Sequence, residues 1–155
     1  MTAKLGAMSK QMTEKELADF SEQFAALWNE SDPEARERRI REFFAPTGVQ
    51  VLVDPPVELR EQVERLQFAL PALEVRGYAA LSRRVTRAYE LFIASGDYEF
   101  AVPAPAIPLP AGLIGVSWVM MAKADGAIAG GGFDVIGLDT DGRILTDHQF
   151  IEGVR

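Results

Sequence analysis

The sequence predicts an α+β domain in which three helices pack on a strongly curved sheet, and three observations support this class. Apolar residues recur at helical spacing in the N-terminal part, whereas the C-terminal part carries extended segments joined by Asp-Gly turns. The glycine run 130–132 lies inside one extended segment, where it predicts a bulge or a sharp bend. Helices that precede hairpins favour an antiparallel or mixed sheet with its helices on one face.

The first predicted helix begins at Thr13, which forms a capping-box pattern with Glu16. Behind this cap, large apolar side chains recur on one stripe: Leu17, Phe20, Phe24, Leu27 and Trp28. Residues spaced three or four apart lie on the same side of a helix, so this stripe faces the core. The pattern therefore predicts an amphipathic helix that ends near residues 29–31.

Two more helices are predicted before the extended segments begin. Asp32 is a suitable N-cap, Pro33 fits the first helical turn, and Pro46 ends the pattern. A third apolar stripe runs over residues 78–92 and is closed by Gly96. Together with the first helix, these segments form the three predicted helices.

The remaining segments alternate or are apolar, as expected of strands. Residues 49–53 predict a short early strand that Pro55 ends. Further extended segments cover 98–107, 113–123, 127–138 and 143–152. Prolines within the first of these four favour an edge position. Residues 57–75 are the least regular part of the chain.

The composition excludes several classes of function. The chain has 155 residues, enough for one domain, and we assign residues 13–155 to it, with residues 1–12 as a polar tail. A net charge of −7 argues against a nucleic-acid partner. There is no cysteine, which excludes disulfides and thiolate chemistry. No secretion signal or membrane-spanning run is visible, so we expect a cytoplasmic protein with no membrane partner.

Three motifs occur in an order that resembles one protein family. They are Phe24–Asp32 (FAALWNESD), Arg76–Leu81 (RGYAAL) and Gly132–Ile144 (GFDVIGLDTDGRI). These segments are similar to those of the SnoaL-like family of the nuclear transport factor 2-like superfamily, which includes steroid isomerases and polyketide cyclases. The resemblance implies a cystatin-like α+β cone, a pocket between sheet and helices, and a homodimer through the sheet face. It also makes residues 57–75 an insertion over the pocket mouth.

Three carboxylates are candidate catalytic residues. The resemblance to steroid isomerases implies that Asp54 is a general base and that Asp134 is an acid that stays protonated. Asp147 and Gln149 share a face of the last strand with Leu145 by alternation, and the family pattern turns that face to the pocket. A carboxyl among apolar groups has a raised pKa, which suits proton transfer. We therefore assign Asp134 and Asp54 to proton handling and Asp147 and Gln149 to substrate orientation.

The same residues also have structural interpretations. Asp54 can cap a turn, and Asp134 and Asp147 can be structural acids. Predicted substrate-binding residues are Phe24, Trp28, Tyr78, Trp118 and Gln149, although a filled core explains the four aromatic ones equally well. Phe24 stands where the isomerases carry a tyrosine, which argues against steroid isomerisation itself.

The predicted function is that of a pocket protein which performs acid–base chemistry on a small apolar or polyketide-like molecule. Isomerisation, cyclisation and dehydration all remain open. We expect no cofactor, and no metal site because His148 is the single histidine and no ligand spacing is evident. The alternative is a ligand-binding or dimerising module of the same fold without catalysis.

Overall fold

The computed structural model describes residues 12–53 and 72–152. Its helices are α1 (Glu14–Asn29), α2 (Pro33–Phe43) and α3 (Gly77–Ala88), the last continuing into a π-helical turn, Tyr89–Ile93. The capping box of Thr13 and Glu16 is present in both directions. Asp32 caps α2 by accepting from the backbone N–H of Ala35 at 3.2 Å. The three predicted helices are therefore confirmed.

Seven strands of the described residues form one sheet. Their bounds are β1 (Phe44–Val53), β2 (Ala72–Arg76), β3 (Tyr98–Ala101), β4 (Ile107–Pro108), β5 (Ile114–Ala122), β6 (Ile128–Leu138) and β7 (Ile144–Glu152). The strand order is β2-β1-β7-β6-β5-β3. The short strand β4 pairs with the first residues of β5, on the same side of β5 as β3. All pairs are antiparallel except β1 with β7. The sheet is therefore mixed, and this parallel pair joins the early strand to the last one.

The early strand is longer than the sequence predicts. It starts at Phe44, directly after α2, and includes Pro46, which the sequence suggests as the end of the helix. Its register with β7 shifts between Phe44 and Val49. Gly48 lies within this bulge, where an added Cβ would come within 2.9 Å of the backbone oxygens of Ala45 and Ile144. The sequence predicted a strand that starts at residue 49, and this predicted start was wrong.

The core lies between the helices and the inner face of the sheet. Buried apolar residues come from all three helices and from the central strands, among them Phe24, Ile40, Leu81, Val116 and Ile136. Bulges interrupt the β5–β6 and β6–β7 pairs, and such bulges increase twist and bend a sheet. The result is the predicted α+β arrangement of helices on a curved mixed sheet. Of the segment 57–75, only residues 72–75 are described, and they belong to β2.

Candidate active site

Polar side chains meet on the inner face of the sheet, where an ordinary core would be apolar. Strand pairing places Asp134 opposite Gln149, and Asp147 opposite both Ile136 and Gln50. Arg84 reaches them from α3, and Trp118 reaches them from β5. We call the following six residues the buried polar cluster: Gln50, Arg84, Trp118, Asp134, Asp147 and Gln149.

Asp134 accepts a hydrogen bond on each carboxyl oxygen. The indole Nε1 of Trp118 donates to Oδ1 at 2.9 Å, and Nε2 of Gln149 donates to Oδ2 at 3.2 Å. The side chain has no solvent exposure. A carboxyl held in this way keeps one orientation, because both oxygens are tied to different strands.

Asp147 is also fully buried, and its two oxygens differ. Nε2 of Gln50 donates to Oδ2 at 3.0 Å. Oδ1 has no hydrogen-bond partner among the described residues. The carboxyls of Asp134 and Asp147 are close enough for the negative charge of Asp147 to raise the pKa of Asp134. The two acids therefore behave as one pair.

The buried pair has an unusual affinity for protons. Burial raises the pKa of Asp134 well above its usual value, and the negative charge of Asp147 raises it further, whereas the bonds from Trp118 and Gln149 oppose this. Burial also raises the pKa of Asp147, against the hydrogen bonds from Asp134 and Gln50 and the charge of Arg84. Two neighbouring carboxyls disfavour double ionisation, so one retains its proton above the usual range.

Arg84 supplies the positive charge beside this pair. One of its Nη atoms donates to Oε1 of Gln149 at 3.0 Å, and its guanidinium lies 5.3 Å from the ring centroid of Trp28. Burial lowers the pKa of Arg84 to about 10, against the opposing effect of Asp134 and Asp147. The side chain therefore remains charged at neutral pH.

The geometry can be compared with known proteins. A scan against family models and a search of curated proteins found no match, but solved structures are similar. A candidate isomerase of the SnoaL-like family from Agrobacterium tumefaciens matches with a TM-score of 0.65 at 22% identity, over 87% of this chain and 96% of that chain. A protein of unknown function with a cystatin-like fold from Nostoc punctiforme matches with a TM-score of 0.60 at 11% identity, over 92% and 95%. The chain has the NTF2-like, cystatin-like fold.

A third solved structure with this NTF2-like fold is a candidate polyketide cyclase from Xanthomonas campestris. It matches with a TM-score of 0.53 at 13% identity, over 88% of this chain and 90% of that chain. The SnoaL-like and polyketide cyclase-like neighbours agree with the resemblance that the sequence motifs indicate. At these identities the likeness concerns the fold alone, and the chemistry depends on the residues of the site.

Within this NTF2-like fold, the predicted site residues divide into two groups. Asp134, Asp147 and Gln149 meet in the buried polar cluster, and Trp118 joins them as a hydrogen-bond donor to Asp134 rather than as an apolar wall. Asp134 therefore has polar partners, and it does not lie among apolar groups alone as the sequence led us to expect. Asp54 lies outside the described residues.

The aromatic residues predicted to bind substrate lie in different surroundings. Phe24 and Trp28 are buried on α1, with ring centroids 6.4 Å apart, and Trp28 contacts Phe100 edge to face. Tyr78 has a structural role. Its hydroxyl donates to the carbonyl of Phe44 at 3.0 Å, and its ring faces the guanidinium of Arg41. Trp28 therefore reaches the cluster through Arg84, whereas Tyr78 ties α3 to β1.

One predicted face was wrong. Leu145 does not share the inner face with Asp147 and Gln149: it is exposed, and Ile144 is buried in its place. The cause is the bulge that shifts the β6–β7 register, since Leu138 pairs with Ile144 and Gly137 pairs with Thr146. A single extra residue turns every preceding side chain to the opposite face.

Two residues of the cluster were not singled out from the sequence. Gln50 is the one polar side chain within Val49–Val53, and it lies on the buried face with Leu52 rather than on the outer one. Arg84 lies three residues after Leu81 and four before Ala88, so helical spacing alone places it on the apolar stripe. The sequence signal that could have identified Arg84 is a charged residue at a position of the apolar stripe.

Over residues 12–53 and 72–152, the structure brings together no group of three or more side chains suited to a metal ion. The helices in this part of the chain also include none that is both long and apolar enough to cross a membrane.

Proposed function

We propose that the chain is a cofactor-independent enzyme that moves a proton on a small apolar or polyketide-like molecule, by isomerisation, cyclisation or dehydration. The observation that carries the proposal is the pair of fully buried carboxyls, Asp134 and Asp147, which lie in one polar cluster where burial raises the pKa of both. Proton transfer needs an acid and a base at the same pH, and a coupled pair provides both. The similar structures named as a candidate isomerase and a candidate polyketide cyclase are consistent with this class.

The two carboxyls have different parts in this proposal. Asp147 is the base, because its Oδ1 accepts no hydrogen bond from the described residues. Asp134 holds the proton of the pair and is fixed in place by Trp118 and Gln149. Once Asp147 has taken a proton from the substrate, the neutral pair can return one to a different substrate atom. Asp54 remains a further predicted base outside the described residues.

The proposal is tested with a ketone whose double bond migrates into conjugation. Cyclohex-3-enone and a bicyclic β,γ-enone are incubated with the protein, and the conjugated product is followed by its ultraviolet absorption. We expect Asp134→Asn and Asp147→Asn each to lower the rate about 10²–10⁴-fold. The control is Glu152→Gln, an exposed carboxylate on the strand that carries Asp147. If the wild-type protein neither isomerises these ketones nor exchanges their acidic protons with D₂O, the proposal is wrong.

A second candidate function is a binding module without catalysis. Asp134 and Asp147 have no solvent exposure, and three of their four oxygens accept hydrogen bonds from protein donors. Such saturation is also typical of a structural polar cluster. In that case the two asparagine variants would change thermal stability, while the binding of a naphthalene-type probe and the absence of turnover would match the wild-type protein.

We also propose that the partner on the outer sheet face is a second copy of the chain. This face carries exposed Ile128 and Phe150, beside a shallow depression of about 640 Å³ that includes Ser117, Val119 and Phe133. Exposed apolar surface of this kind favours association. Sedimentation should show a dimer that Phe150→Asp converts to monomer, whereas Glu42→Gln, at an exposed position of α2, should leave it intact. A wild-type monomer at high concentration would refute this.

A further inference from the structure

A groove lies between α1 and the chain that follows β3, and none of the six residues of the buried polar cluster lines it. One wall is formed by Ala18, Ser21, Glu22 and Ala25 of α1, and the other by residues 99–105. The cavity has a volume of about 430 Å³. The four positions on α1 are three or four apart, so they share one side of the helix. We call this cavity the α1 groove.

Two side chains of α1 bind the backbone on the far side of the groove. The amide of Asn29 donates to the carbonyl of Phe100 at 2.7 Å and accepts from its N–H at 2.8 Å. Oγ of Ser21 accepts from the N–H of Ala106 at 2.7 Å. β3 is an edge strand of the sheet, so these side chains provide the partners that a further strand would otherwise supply.

The spacing of these two contacts explains why the groove is open. Ser21 and Asn29 are eight residues apart on a helix, which is about 12 Å. Phe100 and Ala106 are six residues apart, and an extended chain of that length spans about 20 Å. The longer segment must therefore bow between its two fixed points, and the chain bends at Ala104. The bowed segment leaves the cavity between itself and α1.

The backbone along the bowed segment has unpaired groups. Successive residues of an antiparallel strand direct their N–H and C=O alternately toward and away from the neighbouring strand. Val102 therefore shares the outward side with Phe100, but it lies beyond the reach of Asn29. Within the described part of the chain, the backbone of Val102 makes no hydrogen bond. A strand edge of this kind can pair with an extended peptide.

The charges of the groove select among such peptides. Glu22 lies on the helix wall and Glu99 on the strand wall, both exposed, and the described residues that line the groove include no basic side chain. The remaining lining is mostly small or apolar, as at Ala18 and Ala25. A lysine or arginine of a bound peptide would therefore meet a carboxylate on either wall, whereas an acidic peptide would be repelled.

We infer that the α1 groove binds an extended segment of a basic peptide or protein, which adds to the edge of β3 at Val102. The groove length of about 12 Å accommodates three to four extended residues. The lysine or arginine side chains of the segment pair with Glu22 and Glu99, and its backbone pairs with Val102. This binding site does not depend on the buried polar cluster or on its chemistry.

The test uses two short peptides that differ only in charge. The basic probe is fluorescein-labelled Gly-Lys-Val-Lys-Gly-amide, and its neutral analogue carries glutamine at both lysine positions. Fluorescence anisotropy measures affinity, and the backbone amide signals of Val102 and Ala104 in NMR spectra report the place of binding. The variants are Glu22→Gln, Glu99→Gln and Ala25→Leu, which narrows the groove. Their matched controls are Glu42→Gln and Ala79→Leu, at exposed positions of α2 and α3.

We expect the basic probe to bind more tightly than its neutral analogue and to shift the amide signals of Val102 and Ala104. Glu22→Gln and Glu99→Gln should each weaken its binding about two- to fivefold, as expected of exposed ion pairs. Added salt should weaken it as well. Ala25→Leu should weaken it about tenfold or more by occupying the groove. Both controls should bind like the wild-type protein.

Equal binding of the two peptides, or no loss in either glutamate variant, would overturn the inference that the partner is basic. Signals that shift on the outer sheet face instead of at Val102 and Ala104 would overturn the location. The absence of binding by the wild-type protein at millimolar concentration would overturn both. Thermal melting shows whether Ala25→Leu is folded, and if it is not, the two glutamate variants decide.

Discussion

The indole Nε1 of Trp118 donates to Oδ1 of Asp134 at 2.9 Å, across two paired strands. This contact depends on Gly132, which lies opposite Trp118 in the sheet: an added Cβ there would come within 2.5 Å of the indole and of the carbonyl oxygen of Phe150. The glycine run thus does more than bend β6. It lets a large ring lie flat enough against the strand to reach the carboxyl.

Trp118→Phe should weaken the fold in a pH-dependent manner. Phenylalanine keeps most of the apolar contact but removes a hydrogen bond to a buried carboxyl, which costs about 1.5–3 kcal/mol when the acid is charged. The pKa of Asp134 should rise further, since the lost bond lowers it. Urea denaturation at several pH values measures the effect. Trp28→Phe, whose ring does not bind Asp134, should show a loss that is nearly independent of pH.

Gly132→Ala should destabilise the protein and disturb the site together. The added methyl group must displace the Trp118 ring or the backbone of Phe150, and such overpacking typically costs about 1–3 kcal/mol. The near-ultraviolet circular dichroism of the indole should change in parallel with the melting temperature. Ala129→Ser, at an exposed position of the same strand, serves as the comparison. An unchanged spectrum and stability for Gly132→Ala would contradict this account of the glycine.

The carboxyl pair should make the folded state less stable as the pH rises. The pKa of Asp134 is raised in the folded state above the usual value near 3.8, so the folded chain binds more protons than the unfolded chain above that pH. The unfolding free energy therefore falls from about pH 4 upwards, by about 1.4 kcal/mol per unit of pKa elevation.

Asp134→Asn should remove much of that dependence and flatten the stability curve between about pH 4 and neutrality. The lowered pKa of Glu30, caused first by its bond to Arg39, acts in the opposite direction at acid pH but is common to both proteins. The difference between the two urea-denaturation curves therefore isolates the pair. If the unfolding free energy of the wild-type protein rises with pH over this range, with the same slope in Asp134→Asn, the pKa of Asp134 is not raised in the folded state and the prediction is wrong.

Gln50→Glu places a third carboxyl beside Asp147. At neutral pH we expect a loss of about 3–5 kcal/mol, the range associated with an uncompensated buried charge. Because the new acid would have a raised pKa in the folded state, the loss should shrink as the pH falls toward 4. Thermal melts at both pH values measure it. Thr47→Glu, at an exposed position of β1, should change stability little, and an equal loss there would count against the buried position of Gln50.

The helices and turns could be predicted from the sequence because their signals are local. The capping box at Thr13 and the cap at Asp32 involve residues three apart, and both form as predicted. The start of β1 could not be predicted, because Pro46 and Gly48 are typical of the end of a helix when only their neighbours in the sequence are considered. Their actual place in a bulge depends on contact with Ile144, far away in the chain.

The candidate site was predicted in part. Asp134, Asp147 and Gln149 stood out as polar residues in apolar strands, and the structure brings them together. Leu145 was assigned to the wrong face because a bulge has no clear signal in a single sequence. Arg84 was missed because a charged residue on a helix is usually solvated, and only the packing of α3 over the sheet turns it inward.

By itself the sequence determined the helices, the turns and the class of the fold, since capping groups and hydrophobic periodicity act between neighbours in the chain. Only the tertiary structure decided which polar groups meet. The parallel pairing of β1 with β7 brings Gln50 to Asp147, although they are 97 positions apart. Strand register is set by the sum of many burial contacts and by bulges, and no local pattern encodes that sum. The placement of Asp134 and Asp147 in one buried cluster is a property of this register.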